Sequence, residues 1–309
     1  LPIGQVSDVV SFILYRKSSK KVRRRVFKDK KTVNSDDGFF ARETAIRLYN
    51  IPDLAIKTPS SVASIEYQSN NGFSTDDLER SQVANNEKLN PVSENHLVGP
   101  NVGTDVESEL DVQMTSQLAP FPTELWFWDS PDWLYGFAVK FFSQKVVPDV
   151  ISMSYGWAEF DQCQIVSCDG NMTSESFVKR VNAEYVKIGL RGVTILVSSG
   201  DAGAPGRDNE WCENDDDTSA MNPAFPGSSP WILSVGATFL ESTDDTGSTW
   251  SRDLPKTSLC KNNQCAQGTI ERSVSNDYVG WTAGGGFELY YDTRPKWQQS
   301  AVDTYLNSG

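Results

Sequence analysis

Histidine is almost absent from this chain of 309 residues, because His96 is the only one. A single imidazole leaves little material for a zinc site, which usually combines several His and Cys ligands. Long apolar runs are also missing, since no stretch approaches the roughly 20 residues that a membrane helix needs. Basic residues are in the minority, with 28 Lys and Arg against 41 Asp and Glu and a formal net charge of -13. Binding to phosphate requires a basic face, so we do not expect nucleic acid as a partner. The lack of a long apolar run likewise argues against a membrane.

The few basic residues are concentrated in one strip near the start of the chain. Ten of the 28 lie between Arg16 and Lys31, where Asp29 is the only acid. The strip has no apolar helical face and is typical of an exposed linker, although a tail that binds nucleic acid or a membrane surface is the alternative. We therefore divide the chain into residues 1–38, removable without loss of the fold, and a folded body at residues 39–309.

Five cysteines form two closely spaced pairs with one left over. Cys163 and Cys168 can close one small loop and Cys260 and Cys265 another, which leaves Cys212 unpaired. Zinc is the competing interpretation, but neither pair has the two-residue spacing typical of zinc loops. We predict two disulfides, and hence an oxidising compartment.

A glycosylation signal lies beside the first cysteine pair. Asn171 begins the sequence Asn-Met-Thr, an acceptor for N-linked sugar in secreted proteins. Together with the predicted disulfides, it indicates the secretory pathway, with an extracellular, lysosomal or vacuolar destination left open.

Alternating strands and helices predict an α/β fold. Residues 148–156 and 193–199 are apolar runs of strand type, and residues 174–190 between them have an apolar helical stripe. This order is a βαβ unit, which implies a parallel sheet. An earlier unit has the same pattern, with predicted helices at residues 107–116 and 133–144 and a strand at residues 124–128.

Three carboxylates are the first candidates for a functional site. Asp201 follows the strand at residues 193–199, at the sheet edge where open α/β folds bind their ligands. Glu107 and Asp111 are four residues apart, so they share one face of the predicted helix. A solvated helix face is the plain alternative for this pair, and Glu109 is expected to be a surface charge.

Two further features have both a structural and a functional interpretation. Gly284, Gly285 and Gly286 permit close backbone approach, and for the glycines alone a tight turn explains them better than a bound substrate. The tryptophans at 126, 128 and 157 can form either an apolar wall of a cleft or part of the core.

Five motifs in order resemble the sedolisin family, the serine-carboxyl peptidases that include tripeptidyl peptidases. They are ExxxD at residues 107–111, SYG at 154–156, SSGDAG at 198–203, FPGSSPWILSVGAT at 225–238 and GGGF at 284–287. The resemblance runs from about Arg42 to the end of the chain. It implies a subtilisin-like α/β fold with a central parallel sheet flanked by helices.

The resemblance also implies a mechanism. A serine would attack the scissile carbonyl, Glu107 would accept its proton, and Asp111 would orient Glu107. Asp201 would stabilise the oxyanion, which requires a protonated carboxyl and points to acidic conditions.

The same resemblance assigns the substrate cleft. Ser154, Tyr155, Gly156 and the glycines at 284–286 would hold an extended peptide or protein substrate. A noncatalytic peptide-binding member of the fold is the alternative function. A subtilisin-type triad is a weaker third one, because His96 lacks the surrounding sequence of such enzymes.

Several family features do not match within these 309 residues. The nucleophilic serine and the calcium ligands of the family would lie beyond Gly309, so we expect no metal ligand in this chain, and the serine either in a longer protein or in a second chain. Residues 1–38 correspond to the end of a propeptide and an activation linker, as in a zymogen. Ala202 and Ala237 depart from the family pattern but remove no catalytic group.

Overall fold

The computed structural model describes residues 42, 45, 49, 51, 60–68, 71–119, 121–168, 170–207, 221–242, 260–261, 264–265, 269–275, 280–290 and 295–307. The predictions for residues 1–38 and for Cys212 fall outside these residues. Across the described ranges, no helix combines the length and apolar character needed to cross a membrane.

A six-stranded parallel sheet forms the centre of the fold. Its strands are β1 (Ser61–Glu66), β2 (Leu97–Val98), β3 (Glu124–Asp129), β4 (Val150–Met153), β6 (Thr194–Ser198) and β8 (Leu233–Val235). Their order is β2-β3-β1-β4-β6-β8, and each neighbouring pair is parallel. Strands β2 and β3, which follow β1 in the chain, lie on one side of it, and the later strands β4, β6 and β8 lie on the other side. The direction of winding therefore reverses at β1. Ligands of such sheets bind at the carboxyl ends of the strands beside this point.

Helices cover both faces of the sheet. Helices α1 (Thr75–Ala84) and α2 (Val106–Leu118) pack on one face, and α3 (Leu134–Ser143) and α5 (Ser174–Leu190) pack on the other. The single turn α4 (Gln162–Ile165) packs against α5, and α6 (Gln299–Asn307) has no buried residue. Two short 3-10 helices are Glu94–His96 and Glu159–Asp161. The predicted α/β class with a central parallel sheet and flanking helices is confirmed.

The two faces of the sheet form two apolar layers. Strand β3 shows the alternation, because Trp126 and Trp128 pack with α3 and α5, whereas Leu125 and Phe127 pack with α1 and α2. Helix α5 buries the predicted stripe, whose members are Phe177, Val181, Tyr185 and Ile188. A capping box at Thr173 begins this helix and satisfies backbone N–H groups of its first turn.

Three two-stranded antiparallel ribbons complete the described strands. They pair β5 (Trp157–Ala158) with β7 (Ala224–Phe225), β9 (Thr238–Ser242) with β12 (Thr269–Ser273), and β10 (Cys260–Lys261) with β11 (Gln264–Cys265). The disulfide Cys163–Cys168 is present, as predicted. For the second predicted disulfide, the backbone register places Cys260 opposite Cys265.

Candidate active site

Polar residues collect where the central strands end. Strand register pairs Glu66 at the end of β1 with Asp129 at the end of β3, and Ile65 with Met153 of β4. Ser154 follows β4 directly and therefore comes next to Glu66. Because these strands are parallel, their carboxyl ends share one edge of the sheet.

Helix α2 brings Glu107 and Asp111 to this edge. Its N-cap is Asp105, whose carboxylate accepts hydrogen bonds from the backbone N–H groups of Glu107 at 3.0 Å and Ser108 at 3.1 Å. The other carboxylate oxygen of Asp105 accepts from the N–H of Gly72 at 3.1 Å. This cap sets where α2 begins, and one helical turn then separates the two candidate carboxylates.

The pKa values of both carboxyls are raised. Burial raises the pKa of Glu107 to about 7. The negative charges of Asp111, Asp201 and Asp105 add to this rise, so Asp201 lies within electrostatic reach of Glu107. Burial also raises the pKa of Asp111, to about 6. Carboxyls with such values exchange protons in the mildly acidic to neutral range, as general acids and bases do.

Ser154 belongs to the carboxylate cluster through its side chain. Its hydroxyl donates a hydrogen bond of 2.7 Å to the Asp111 carboxylate. This bond favours the ionised form of Asp111 and lowers its pKa against the effect of burial. The sequence placed Ser154 in the substrate-binding set, and the structure also connects it to the predicted triad.

Glu66 is a member of the site that the sequence analysis missed. Its side chain is 0 % exposed, and the hydroxyl of Tyr155 donates to its Oε2 at 2.7 Å. Burial and the charge of Asp111 raise the pKa of Glu66 to about 8. The signal that selects Asp201, a carboxylate at the end of an apolar strand, also applies to Glu66.

The glycines at 284–286 lie beside the Asp201 loop. The N–H of Gly284 donates to the carbonyl of Gly200 at 2.7 Å, and the N–H of Gly203 donates to the carbonyl of Thr282 at 3.1 Å. A side chain at Gly284 would overlap the carbonyl oxygen of Ser199, so glycine is required there.

The two edges of the proposed cleft remain open to solvent in different degrees. Gly285, Gly286 and Phe287 are exposed, and so is Asp201. In the other segment, residues 154–156, Ser154 and Gly156 are half-buried and Tyr155 is buried, and a Cβ atom at Gly156 would come within 3.2 Å of the carbonyl oxygen of Phe225. The segment 154–156 is therefore the less exposed of the two.

Some predicted residues have other roles. Trp126 and Trp128 are 7 % and 0 % exposed and belong to the core, so only Trp157 of the three can still line a cleft, with Arg207 stacked 5.0 Å from its ring. The expectation that Glu109 is a plain surface charge is wrong. Its carboxylate is partly buried and accepts from the N–H of Ser74 at 2.7 Å, which ties α2 to the start of α1.

The remaining candidates lie away from the carboxylate cluster in the chain. Asn171 is exposed in the turn before α5, as a glycosylation site requires.

Among the described residues, no group of three or more His, Cys, Asp or Glu side chains is arranged to hold a metal ion. The calcium ligands were predicted beyond residue 309, so these residues do not test that prediction.

The amino-acid sequence is similar to those of two curated proteins. The chain is 38% identical to physarolisin from Physarum polycephalum over 276 residues, which cover 88% of this chain and 46% of physarolisin. It is 27% identical to tripeptidyl-peptidase 1 from Homo sapiens over 214 residues, which cover 66% of this chain and 29% of that protein. The chain therefore spans less than half the length of these curated relatives. No protein-family model matches it.

A solved structure is also similar. It is described as Pseudomonas sedolisin (serine-carboxyl proteinase) complexed with two molecules of pseudo-iodotyrostatin. The TM-score is 0.49 at 20% sequence identity, with 80% of this chain and 63% of that chain covered.

Proposed function

Because the chain belongs to the sedolisin family, we propose that it carries the acid residues of a serine-type peptidase that works under acidic conditions. The observation that supports this most is the Glu107–Asp111 pair, held on one turn of α2 with both pKa values raised. A solvated pair on a plain helix face would keep ordinary values. The reaction is hydrolysis of peptide bonds in a peptide or protein, by endopeptidase or tripeptidyl peptidase action.

The proposed chemistry begins with a serine hydroxyl that attacks the carbonyl carbon of the scissile bond. Glu107 accepts the hydroxyl proton and later returns it to the leaving amine. Asp111 orients Glu107, and the hydrogen bond from Ser154 favours the ionised form of Asp111. We propose that the serine is supplied from outside these 309 residues, in a longer protein or a second chain.

Asp201 would donate a hydrogen bond to the oxyanion that forms on the attacked carbonyl. Only the protonated carboxyl can donate, whereas Glu107 must be ionised to accept a proton. The rate would therefore rise and then fall with pH, in a bell shape on the acidic side of neutrality. A serine that donates to Glu107 would lower its pKa below about 7 and move the acid limb to lower pH.

The substrate would lie extended between two backbone segments, residues 154–156 and 284–286. The exposed backbone at Gly285 and Gly286 supports this arrangement, because an extended peptide binds through main-chain hydrogen bonds. The side chain of Tyr155 is buried against Glu66, so its backbone rather than its ring would contact substrate.

The compartment and processing form part of the proposal. The disulfide Cys163–Cys168 and the exposed Asn171 support passage through the secretory pathway, to a lysosomal, vacuolar or extracellular site. We further propose that residues 1–38 are removed from a zymogen, and that calcium binds beyond residue 309.

Peptide cleavage by the full-length gene product tests the proposal against the noncatalytic alternative. Residues 1–38 are first removed, and a mixed peptide library is incubated from about pH 3 to about pH 8. We expect new peptide termini at acidic pH and none above neutrality. Peptides that are retained but remain intact at every pH would support a binding protein instead.

A further inference from the structure

Two glutamates that have no role in the proposed reaction, Glu159 and Glu288, lie at the end of the glycine segment, which we define as residues 284–287. Glu159 is 0 % exposed in the 3-10 helix after β5. Its Oε1 accepts from the N–H of Leu289 at 2.8 Å, and its Oε2 accepts from the hydroxyl of Ser228 at 2.6 Å. The backbone of Tyr290 donates to it as well. Glu159 thus anchors the chain directly after the glycine segment.

Glu288 lies next to this anchor and contacts α5. Its Oε1 accepts from Nδ2 of Asn182 at 2.9 Å, while Oδ1 of Asn182 accepts from the hydroxyl of Ser229 at 2.6 Å. The Ser229 bond fixes which end of the Asn182 amide faces Glu288. The other oxygen of Glu288, Oε2, is buried and has no partner among the described residues. A buried carboxylate oxygen without a donor is costly, whereas a protonated carboxyl is tolerated.

The charges around Glu288 favour its protonated form. Burial and the carboxylate of Glu159 raise the pKa of Glu288 to about 8, against the bond from Asn182 and the charge of Lys179 on α5. Lys179 is held at 2.6 Å by Glu175, which reduces its effect on Glu288. Asp161 and Glu175 add negative charge around the adjacent Tyr290.

The glycine segment is held at both ends by these contacts. Gly284 bonds to Gly200 beside Asp201, and Leu289 bonds to Glu159. Between these two points, residues 285–287 are exposed. A change at the Glu159 end would therefore move the backbone that is proposed to bind substrate.

We propose that protonated Glu288 and the Glu159 carboxylate form a latch that holds the glycine segment in place, and that ionisation of Glu288 releases it. In the folded protein Glu288 binds its proton more tightly than in the unfolded chain. Its contribution to stability is therefore complete below the ordinary pKa of a glutamate and is lost as the pH rises towards about 8. This inference goes beyond the proposed peptidase function, and only its consequence for activity rests on that function.

Hydrogen exchange of the full-length gene product tests the latch. Protection factors of Leu289 and neighbouring amides, together with the melting temperature, are followed from about pH 5 to about pH 9. We expect the wild type to lose at least about tenfold in local protection between about pH 6 and about pH 9. Glu288→Gln, which keeps an oxygen for Asn182 but cannot ionise, should show no such loss. Glu79→Gln, on the exposed face of α1, should behave as the wild type.

A second variant keeps the test decisive if Glu288→Gln does not fold. Glu159→Gln retains an acceptor for Leu289 but removes the charge beside Glu288. The pKa of Glu288 should then fall, so the loss of protection should move to lower pH. An unchanged transition in both variants, or none in the wild type, would overturn the latch. Hydrogen exchange and melting temperature need no catalysis. The latch can therefore fail in an enzyme that cleaves peptides, and it can be present in a protein that does not, so the two proposals are tested separately.

Discussion

Ser154 donates a hydrogen bond of 2.7 Å to Asp111, which lies 43 residues earlier in the chain. The bond connects the end of β4 to α2 and lowers the pKa of Asp111 relative to a buried carboxyl without a donor. The Asp111 carboxylate in turn raises the pKa of the neighbouring Glu107. Ionised Asp111 therefore makes it harder for Glu107 to lose its proton.

Replacement of Asp111 by asparagine should shift the acid limb of the pH profile. The Asp111 charge raises the pKa of Glu107, so its removal should lower that pKa and move the acid limb of kcat/KM to lower pH by roughly one unit. The rate at the optimum should also fall, because a neutral amide at this position supplies no negative charge to stabilise protonated Glu107 during the reaction. The measurement is kcat/KM against pH, with Asp132→Asn as a control at an exposed position. A profile that keeps its acid limb would show that Asp111 does not act on Glu107.

Two substitutions at Asp201 separate its charge from its hydrogen-bond donor. Asp201→Ala removes the donor and should reduce kcat by about 10²–10³-fold. Asp201→Asn keeps an N–H donor that does not depend on protonation, so any remaining activity should extend to higher pH than in the wild type. Steady-state kinetics across pH measures both effects. Equal activity of the alanine variant and the wild type would exclude an oxyanion role.

Alanine substitutions at two adjacent glycines test the substrate platform. A Cβ atom at Gly284 would overlap the carbonyl of Ser199, whereas at Gly285 the nearest described atom is 3.9 Å away. Gly284→Ala should therefore displace the segment and reduce kcat/KM by about 10²-fold. Gly285→Ala should have a much smaller effect. Similar losses in the two variants, with unchanged melting temperatures, would argue against this assignment.

Tyr155→Phe should destabilise the fold. It leaves Oε2 of the fully buried Glu66 without its donor, at an expected cost of about 1–3 kcal/mol in the free energy of unfolding. Tyr67→Phe is the matched control, since Tyr67 packs 5.5 Å from the Tyr155 ring and its hydroxyl donates to the sulfur of Met153, a weak acceptor. Urea denaturation of both variants gives the comparison. Equal losses in the free energy of unfolding would mean that the Tyr155–Glu66 hydrogen bond stabilises the fold no more than the Tyr67–Met153 contact does.

Local sequence patterns were sufficient where neighbouring residues decide the structure. Helix α5 was predicted at residues 174–190 and has those bounds, because its apolar stripe and its cap are both short-range signals. The shared face of Glu107 and Asp111 follows from helical spacing in the same way. Asp201 was predicted from the end of its strand.

Contacts between distant segments were not predictable in this way. Tyr155 lies 89 residues from Glu66, and no local pattern indicates that its hydroxyl reaches that carboxylate. Glu109 was misjudged because its partner, Ser74, lies 35 residues earlier. An apolar run also cannot distinguish a cleft wall from a core when both faces of a strand are buried, as they are around Trp128.

If Glu107 is the general base, its replacement by glutamine should lower kcat/KM across the acidic range. The matched control is Glu109→Gln, on the same helix, which retains an acceptor for Ser74. We expect the Glu107 variant to lose about 10²–10⁴-fold in kcat/KM at every pH and the Glu109 variant to stay near the wild type. A Glu107 variant that retains wild-type activity in a folded protein would show that Glu107 is not the general base.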